Sequence, residues 1–488
     1  MAVTAPLQYK IFHDPIHGHI EVHPLCVKII DTPQFQRLRD LKQIGACYFV
    51  YPGASNNRFE HCVGVCHLAG QLARILQRRQ PELDISDKDV LCVEIAGLCH
   101  DLGHGPFSHL FDAKFIPEVK KGPTWKHEDA SEMMFNFLIK DNNLQEEFTK
   151  YELDKNDQDF IREQILGPKK DTNDEYQYTG RGQEKRFLYE IVANNRNGID
   201  VDKWDYFARD CHGLGIKNTF DHNRYMKFAR VIKVDNGSSN SDFQICSRDK
   251  EAETLYGMFQ LRSVLHRRAY KHRVCNAVEA MIVDALISAE QTEIVPVEDK
   301  KRLKLSQCID NPEGYTKLTD SIFYVILMSV DPKLTEARAL LERILNRNLY
   351  RCVGDTTPKE TPKKENKEVK KFVEALKAEI ITYVISKSEL EKKDLYVDVV
   401  LLDYGSKTKN PMENVRFYTK NDQNTAKCLN MENVSLMFPR VFAEYIIRLY
   451  YKKPDTENMQ KASVAFEKWC DVNKYGQQSK FPGSTTET

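Results

Sequence analysis

The sequence predicts a mostly α protein, with a helical core, a small peripheral hairpin and a C-terminal α+β lobe. Three observations predict it. Apolar residues recur at i, i+3 and i+4 through most of the first two-thirds of the chain. Two strand-like runs there flank one polar turn, and beyond a lysine-rich stretch strand-like and helical patterns mix.

Helical spacing covers Phe35–Ile44, Val63–Leu76, Val90–Leu98 and Phe187–Ile191. Arg230–Val234 and Phe243–Cys246 flank Asp235-Asn236-Gly237-Ser238-Ser239, the composition of a hairpin loop. Residues 354–371 carry few apolar side chains to offset their ordering entropy and are expected to form a mobile loop. After it, Tyr396–Leu402 and Val415–Tyr418 read as strands, and Phe442–Tyr451 and Met459–Cys470 as helices. The expected organisation is an arm over 1–9, the helical domain over 10–353, the loop over 354–371, the lobe over 372–473 and a disordered tail over 474–488.

The 488 residues are 41% hydrophobic and 29% charged, the balance of a folded globular chain. Lys+Arg and Asp+Glu both count 71, so net charge points to no polyanionic partner and any anion site must be local. No apolar run approaches the ~18–20 residues of a membrane span, and the start lacks a leader's basic and apolar regions. A soluble, non-secreted protein with no membrane partner is expected. The 13 cysteines include no Cys-x-x-Cys pair and sit in apolar segments, which suits free thiols in a reducing, intracellular compartment.

The strongest chemical signal is His100-Asp101 at the end of an apolar helix, followed by Leu102-Gly103-His104-Gly105-Pro106-Phe107-Ser108-His109. A helix that crosses the core and stops at Gly-x-Gly-Pro delivers imidazole and carboxylate into an interior cleft. Buried there, they need partners, and metal coordination satisfies both. His61, at the head of a helix, and Asp202, in Asn197-Gly198-Ile199-Asp200-Val201-Asp202, complete a candidate shell. Two imidazoles and two carboxylates suit iron, manganese or magnesium, with zinc also compatible. A lone His-Asp dipeptide is ordinarily a structural hydrogen-bonding pair. Here five of the 14 histidines (His61, His100, His104, His109, His127) fall within 67 residues, most of them in Gly-interrupted turns, which favours a site.

The order His61, His100-Asp101 and distant Asp202 resembles the HD superfamily of metal phosphohydrolases. More specifically, DPIHGHIEVHP, RFEHCVGV, CHDLGHGPFSH, WKHEDAS and RNGIDVDKWDYFARDCH together resemble the animal family of SAM and HD domain deoxynucleoside triphosphate triphosphohydrolases, from about Lys10 to about Lys453. That family carries a SAM domain ahead of the HD region, and this sequence reads as starting after it.

The resemblance implies an HD-domain helical core in which His61, His100, Asp101 and Asp202 bind a divalent metal (iron, zinc or manganese). Water attacks the α-phosphorus of a deoxynucleoside triphosphate (dNTP), and deoxynucleoside and inorganic triphosphate leave. His109 has Asp112 three residues on, on the same helical face, and this dyad is expected to be the general acid. His104 and His127 are expected near the α-phosphate, with Glu128 beside them or binding a Mg²⁺ carried by the nucleotide. By the same resemblance Arg58, Lys203, Arg262 and His266 face phosphates, Tyr206 and Asp210 line the sugar, and Gln43 with Asp210 holds the 3′-hydroxyl. Ile44 and Tyr270 exclude a 2′-hydroxyl, and Lys271 follows Tyr270. Ile44 stands where the family has Leu, and Lys271 where it has Gln.

The family is activated by GTP and dNTP effectors that assemble a homotetramer. The matching positions are Lys10, Ile11, His13, Asp31, Gln36, Arg39, Arg224, Phe228, Arg248, Lys250, Arg273, Arg347, Arg351 and Lys452. A carboxylate such as Asp31 can accept two hydrogen bonds from the guanine N1 and N2 edge. His13 replaces the family's Asn. The resemblance further implies a nuclear location and control of dNTP pools, with restriction of viral DNA synthesis. Two other readings stay open: an HD phosphodiesterase or 5′-nucleotidase using His104 and His127 around a second metal, and a single-stranded nucleic-acid-binding scaffold using the lysine-rich 354–371.

Overall fold

The computed structural model describes residues 8–479, except 123–124, 171–175, 236–241, 359–365, 389, 431 and 433. Two compact units are present. The first comprises residues up to Leu261 with Glu290–Val325 and Pro411–Phe438; the second comprises Arg262–Ala289, Ile326–Asn410 and Pro439 onward.

In the first unit, β1 (Lys10–Asp14) and β2 (Gly18–Val22) form an antiparallel hairpin. The core is a set of helices: α1 (Arg58–Arg79), α2 (Asp87–Cys99), α3 (His127–Asp141), α4 (Lys155–Leu166) and α5 (Val201–Leu214). Asn57 and Glu60 close a capping box on α1, and Ser86 and Asp89 one on α2. From Asp89 to Cys99 every residue of α2 is buried, so this helix runs through the centre. α1 and α4 pack on that helix, and α1 also touches α5. Gly97 sets the approach of α2 to α1: a Cβ there would lie 3.2 Å from the Val65 carbonyl oxygen and 3.3 Å from Cys66 Cα. β3 (Arg230–Val234) and β4 (Asp242–Arg248) form the expected hairpin, and Phe417–Tyr418 adds a parallel strand on β4.

In the second unit, α6 (Arg273–Ala289) packs on α7 (Thr335–Leu345). An antiparallel sheet runs in the order β6 (Leu395–Asp403), β7 (Ala443–Tyr451), β5 (Arg351–Thr356), β8 (Gln477–Ser479). α8 (Asn366–Ser388) and α9 (Thr456–Val472) cover it, burying Ile380, Val384, Phe466 and Trp469 against Val397, Ile447 and Leu449.

The mostly helical class, the hairpin and the α+β lobe match the sequence expectation; four local readings do not. Phe442–Tyr451 is strand β7, not helix. It is central in its sheet and buried on both faces, so it lacks period-2 alternation, and its Tyr445, Ile446, Ile447, Tyr450 and Tyr451 are the β-formers that mark it. Val415–Tyr418 supplies a strand to the first unit, because its partner β4 is distant in sequence. Phe35–Ile44 is not one helix: Pro33–Gln36 and a 3-10 turn at Arg37–Asp40 give way to a bridge between Lys42 and Asn57. Phe187–Ile191 falls largely in a 3-10 stretch, Gln183–Glu190.

The expected loop 354–371 is cut back at both ends by β5 and α8, with 359–365 outside the described residues, and β8 lies within the expected tail. The two compact units also cut the chain differently from the expected contiguous segments. None of the 13 cysteines is in a disulfide. Among the described residues no helix is long and apolar enough to cross a membrane.

Candidate metal centre

Three helix ends meet at one point. α2 presents His100 as its C-cap, with Asp101 next; His61 sits in the first turn of α1 and Asp202 in the first turn of α5. One ligand atom each from His61, His100 and Asp101 lie within 4.8 Å of one another. The Asp202 Oδ1 is 3.1 Å from His61 Nε2 and 3.5 Å from His100 Nε2. The four residues named from the sequence thus lie together at one point.

Tautomers follow from the outer hydrogen bonds. His100 Nδ1 donates to the Gly97 carbonyl at 2.8 Å, and His61 Nδ1 donates to Asp205 Oδ2 at 2.7 Å. Each ring thus turns its Nε2 lone pair inward, and both Nε2 atoms are buried without a hydrogen bond. A buried acceptor left unmet costs about 1–3 kcal/mol. Two such nitrogens beside two carboxylates fit a divalent cation, which would satisfy all four at once. Burial pushes the Asp101 carboxyl up, but the Arg58 guanidinium and the neighbouring imidazoles hold it well below the usual range. Asp202 is likewise held low against burial, by His100 and His61.

Arg58, expected at a phosphate, is only 4% exposed. Its Nη1 pairs with Asp101 Oδ2, its Nε donates to Ser108 Oγ at 3.0 Å and its Nη2 to the Gln43 carbonyl at 3.2 Å. It braces a candidate ligand and a loop. Lys203, also expected at a phosphate, has its ammonium 2.8 and 3.1 Å from the two oxygens of Asp200, the α5 cap.

A second group adjoins the first. Ring nitrogens of His104, His109 and His127 lie within 4.8 Å of one another, and the His104 and His127 rings stack at 4.0 Å. His104 Nε2 is 3.3 Å from Asp101 Oδ1. Burial, then Arg58 and His127, hold His104 neutral. Burial opposes charge on His127, yet Asp112, 2.7 Å from its Nδ1, raises its pKa. The expected dyad is therefore shared: Asp112 lies 3.7 Å from His109 Nδ1 and nearer to His127, while the His109 side chain is 69% exposed. The loop between His104 and His109 turns through positive φ at Phe107 and Ser108. Asp320 accepts from Phe107 N at 2.6 Å and Lys42 N at 2.8 Å, its pKa pushed up to about 6 by burial. Arg37 donates to the Leu102 and His104 carbonyls, both at 3.0 Å.

Of the expected sugar contacts, Gln43 buries an Oε1 without a partner, Tyr206 is half-buried and Asp210 accepts from Asn56 at 3.0 Å. Ile44 is half-buried. In the second unit Arg262 pairs with Asp403, His266 packs edge-on to Tyr270 at 5.0 Å, and the Lys271 carbonyl accepts from Arg448.

Sequence reasoning missed Asp205, His17, Arg209 and Asp14. His17 Nε2 and His61 Nδ1 both lie 2.7 Å from Asp205, and Arg209 bonds Asp205 and Asp14. The signal was present: Asp205 follows Asp202 by three residues on α5, and Asp14 and His17 belong to a motif already singled out.

The HD domain family matches residues 58–210, which contain all four candidate ligands. The deoxynucleoside triphosphate triphosphohydrolase SAMHD1 of Bos taurus is 51% identical over 473 residues, covering 96% of this chain and 79% of that protein. The SAMHD1 proteins of Homo sapiens and Gallus gallus are 50% and 51% identical, over 94% of this chain and 73% and 75% of their own lengths. The chain belongs to the SAMHD1 family.

Of the positions expected to bind effectors in a SAMHD1-family chain, most are on the surface. In the first unit Asp31 is exposed, Gln36 accepts from Arg39 Nε at 2.8 Å, and the Arg39 guanidinium lies 3.5 Å over the Phe59 ring. Lys10, Ile11 and His13 of β1 are exposed. The Lys250 ammonium lies 3.7 Å over Phe228, Arg224 pairs with Glu251, and Arg248 with Asp249. In the second unit Arg273, Arg347 and Arg351 are exposed, and Lys452 pairs with Asp284 at 2.6 Å.

Proposed function

We propose that this chain hydrolyses dNTPs to deoxynucleoside and inorganic triphosphate at the centre formed by His61, His100, Asp101 and Asp202. The observation that carries the reading is the pair of inward, unmet Nε2 atoms facing two carboxylates beside a histidine trio. The substrate class is supported by relatives named as deoxynucleoside triphosphate triphosphohydrolases. A divalent iron, zinc or manganese held by the four ligands would supply an acidified water and offset phosphate charge.

Water oxygen bonds to the α-phosphorus, the bond from that phosphorus to the nucleoside 5′-oxygen breaks, and the oxygen takes a proton. His109 is exposed enough to meet the leaving oxygen, and Asp112, 3.7 Å from its Nδ1, can orient the ring. His104, held neutral by burial, and His127, whose pKa Asp112 raises, are suited to the α-phosphate. Gln43, Tyr206 and Asp210 contact the sugar. The nucleotide carries its own Mg²⁺.

GTP and dNTP effectors drive tetramer assembly, with exposed Asp31 reading the guanine edge beside Gln36 and Arg39. Control of dNTP pools in the nucleus, and through it limitation of viral DNA synthesis, completes the reading.

One observation favours a second chemistry: His104, His109 and His127 are themselves grouped closely enough to hold an ion, and two adjacent ions are the usual equipment of phosphodiesterases. The products decide. With dGTP and divalent metal, intact triphosphate and deoxyguanosine are expected, whereas pyrophosphate or dGMP overturns the proposal.

A further inference from the structure

Behind the ligand His61 lies a carboxylate whose acceptor capacity is full. Asp205 Oδ2 accepts from His61 Nδ1 at 2.7 Å and from Arg209 Nε at 2.9 Å; Oδ1 accepts from His17 Nε2 at 2.7 Å and from Arg209 Nη2 at 2.8 Å. An ionised carboxylate offers about four lone-pair sites, and all four are used. Asp205 is fully buried, and the His17 side chain is 3% exposed. Gly64 of α1 makes room for this: a Cβ there would run into the Asp205 and Arg209 side chains.

His17 comes from a different part of the chain, the turn between β1 and β2. That turn is built by Asp14, whose Oδ1 accepts from Ile16 N at 2.8 Å and His17 N at 2.9 Å while its Oδ2 accepts from Arg209 Nη1 at 2.9 Å. The turn and α5 are thereby locked together around Asp205, and His61 is aimed by both.

We propose that His17 and Asp205 are positioning residues of the metal centre: Asp205 fixes the tautomer and angle of His61, and His17, from the β1–β2 turn, fixes Asp205. The inference rests on the metal-site reading above. Without the His17 donor, Asp205 can turn about its Cα–Cβ bond toward Arg209, and the His61 Nε2 lone pair loses its aim. Supports of this kind change metal affinity by about 10–100-fold when removed.

The test is a Co²⁺ titration of the full chain, without nucleotide, read by visible absorption and by equilibrium dialysis, with circular dichroism and thermal unfolding recorded on each variant. Asp205→Asn should weaken Co²⁺ binding by about 10–100-fold and move the absorption bands. His17→Phe, which keeps volume and removes the donor, should weaken binding in the same direction with the fold intact. His17→Gln, whose amide can donate to Asp205, should restore most of the affinity. If Asp205→Asn does not fold, the two His17 variants decide alone. Folded His17→Phe with unchanged affinity and bands overturns the proposal, as does equal loss in His17→Phe and His17→Gln. No stoichiometric Co²⁺ site in the unaltered chain refutes the metal-site reading itself, a separate outcome.

Discussion

Replacing Arg58 with Met separates two roles for this residue. The Arg58 and Asp101 side chains are 5% and 8% exposed, so their ion pair is buried. Removing one partner of such a pair costs about 3–5 kcal/mol, because the remaining charge is stranded. The Gln43 carbonyl also loses a donor, worth about 1 kcal/mol, while Ser108 keeps its bond to the Lys42 carbonyl. A loss of about 4–6 kcal/mol is therefore expected in the metal-free protein, measured by urea denaturation after chelation. Added Mn²⁺ should recover part of it, since a cation then faces Asp101 again. A solvated phosphate-binding arginine would behave differently: stability would change by no more than about 0.5 kcal/mol and only substrate binding would fall. A metal-free loss under about 1 kcal/mol refutes the bracing role.

Three further outcomes are expected. Burial depresses His23, His67 and His222, each to about 4. Unfolded histidines bind protons below about 6.5, so the stability these three lend is complete above that pH and lost as pH falls from 6.5 through 4, with uptake of about three protons on unfolding. The difference in denaturation free energy between the unaltered chain and a His23→Gln, His67→Gln, His222→Gln triple variant should shrink across that window; a constant difference contradicts it. Asp112→Asn removes the group that raises His127 and orients His109, so dNTP hydrolysis should drop by about 10²-fold or more and the limb of the pH–rate profile set by protonated imidazole should move to lower pH; an unmoved limb would exclude Asp112 from that role. Asp31→Asn should abolish GTP-driven assembly seen by light scattering while dATP binding persists, and assembly unaltered by the substitution would remove Asp31 from the guanine pocket.

The four candidate metal ligands were legible because each is fixed by local sequence: a cap, a helix end, a Gly-x-Gly-Pro stop. Arg58 entered the reading only through the family resemblance, as a phosphate contact and not as a brace, since its partners Asp101, Gln43 and Ser108 are brought to it by tertiary packing. Asp205 and His17 were hidden for the same reason, their contact spanning the chain from the first hairpin to α5. Strand β7 illustrates a different limit. Burial on both faces erases the alternation that distinguishes strand from helix, leaving only residue type to decide.

The central claim is that water is delivered to the α-phosphorus by the residues around His61, His100, Asp101 and Asp202. Hydrolysis of dGTP in ¹⁸O-labelled water, with products resolved by mass spectrometry, tests it most directly. One ¹⁸O atom in the released triphosphate and none in deoxyguanosine is the predicted result, with turnover lost in His100→Ala and Asp101→Ala. Label in the deoxyguanosine 5′-hydroxyl, or undiminished turnover in those two variants, would contradict the account.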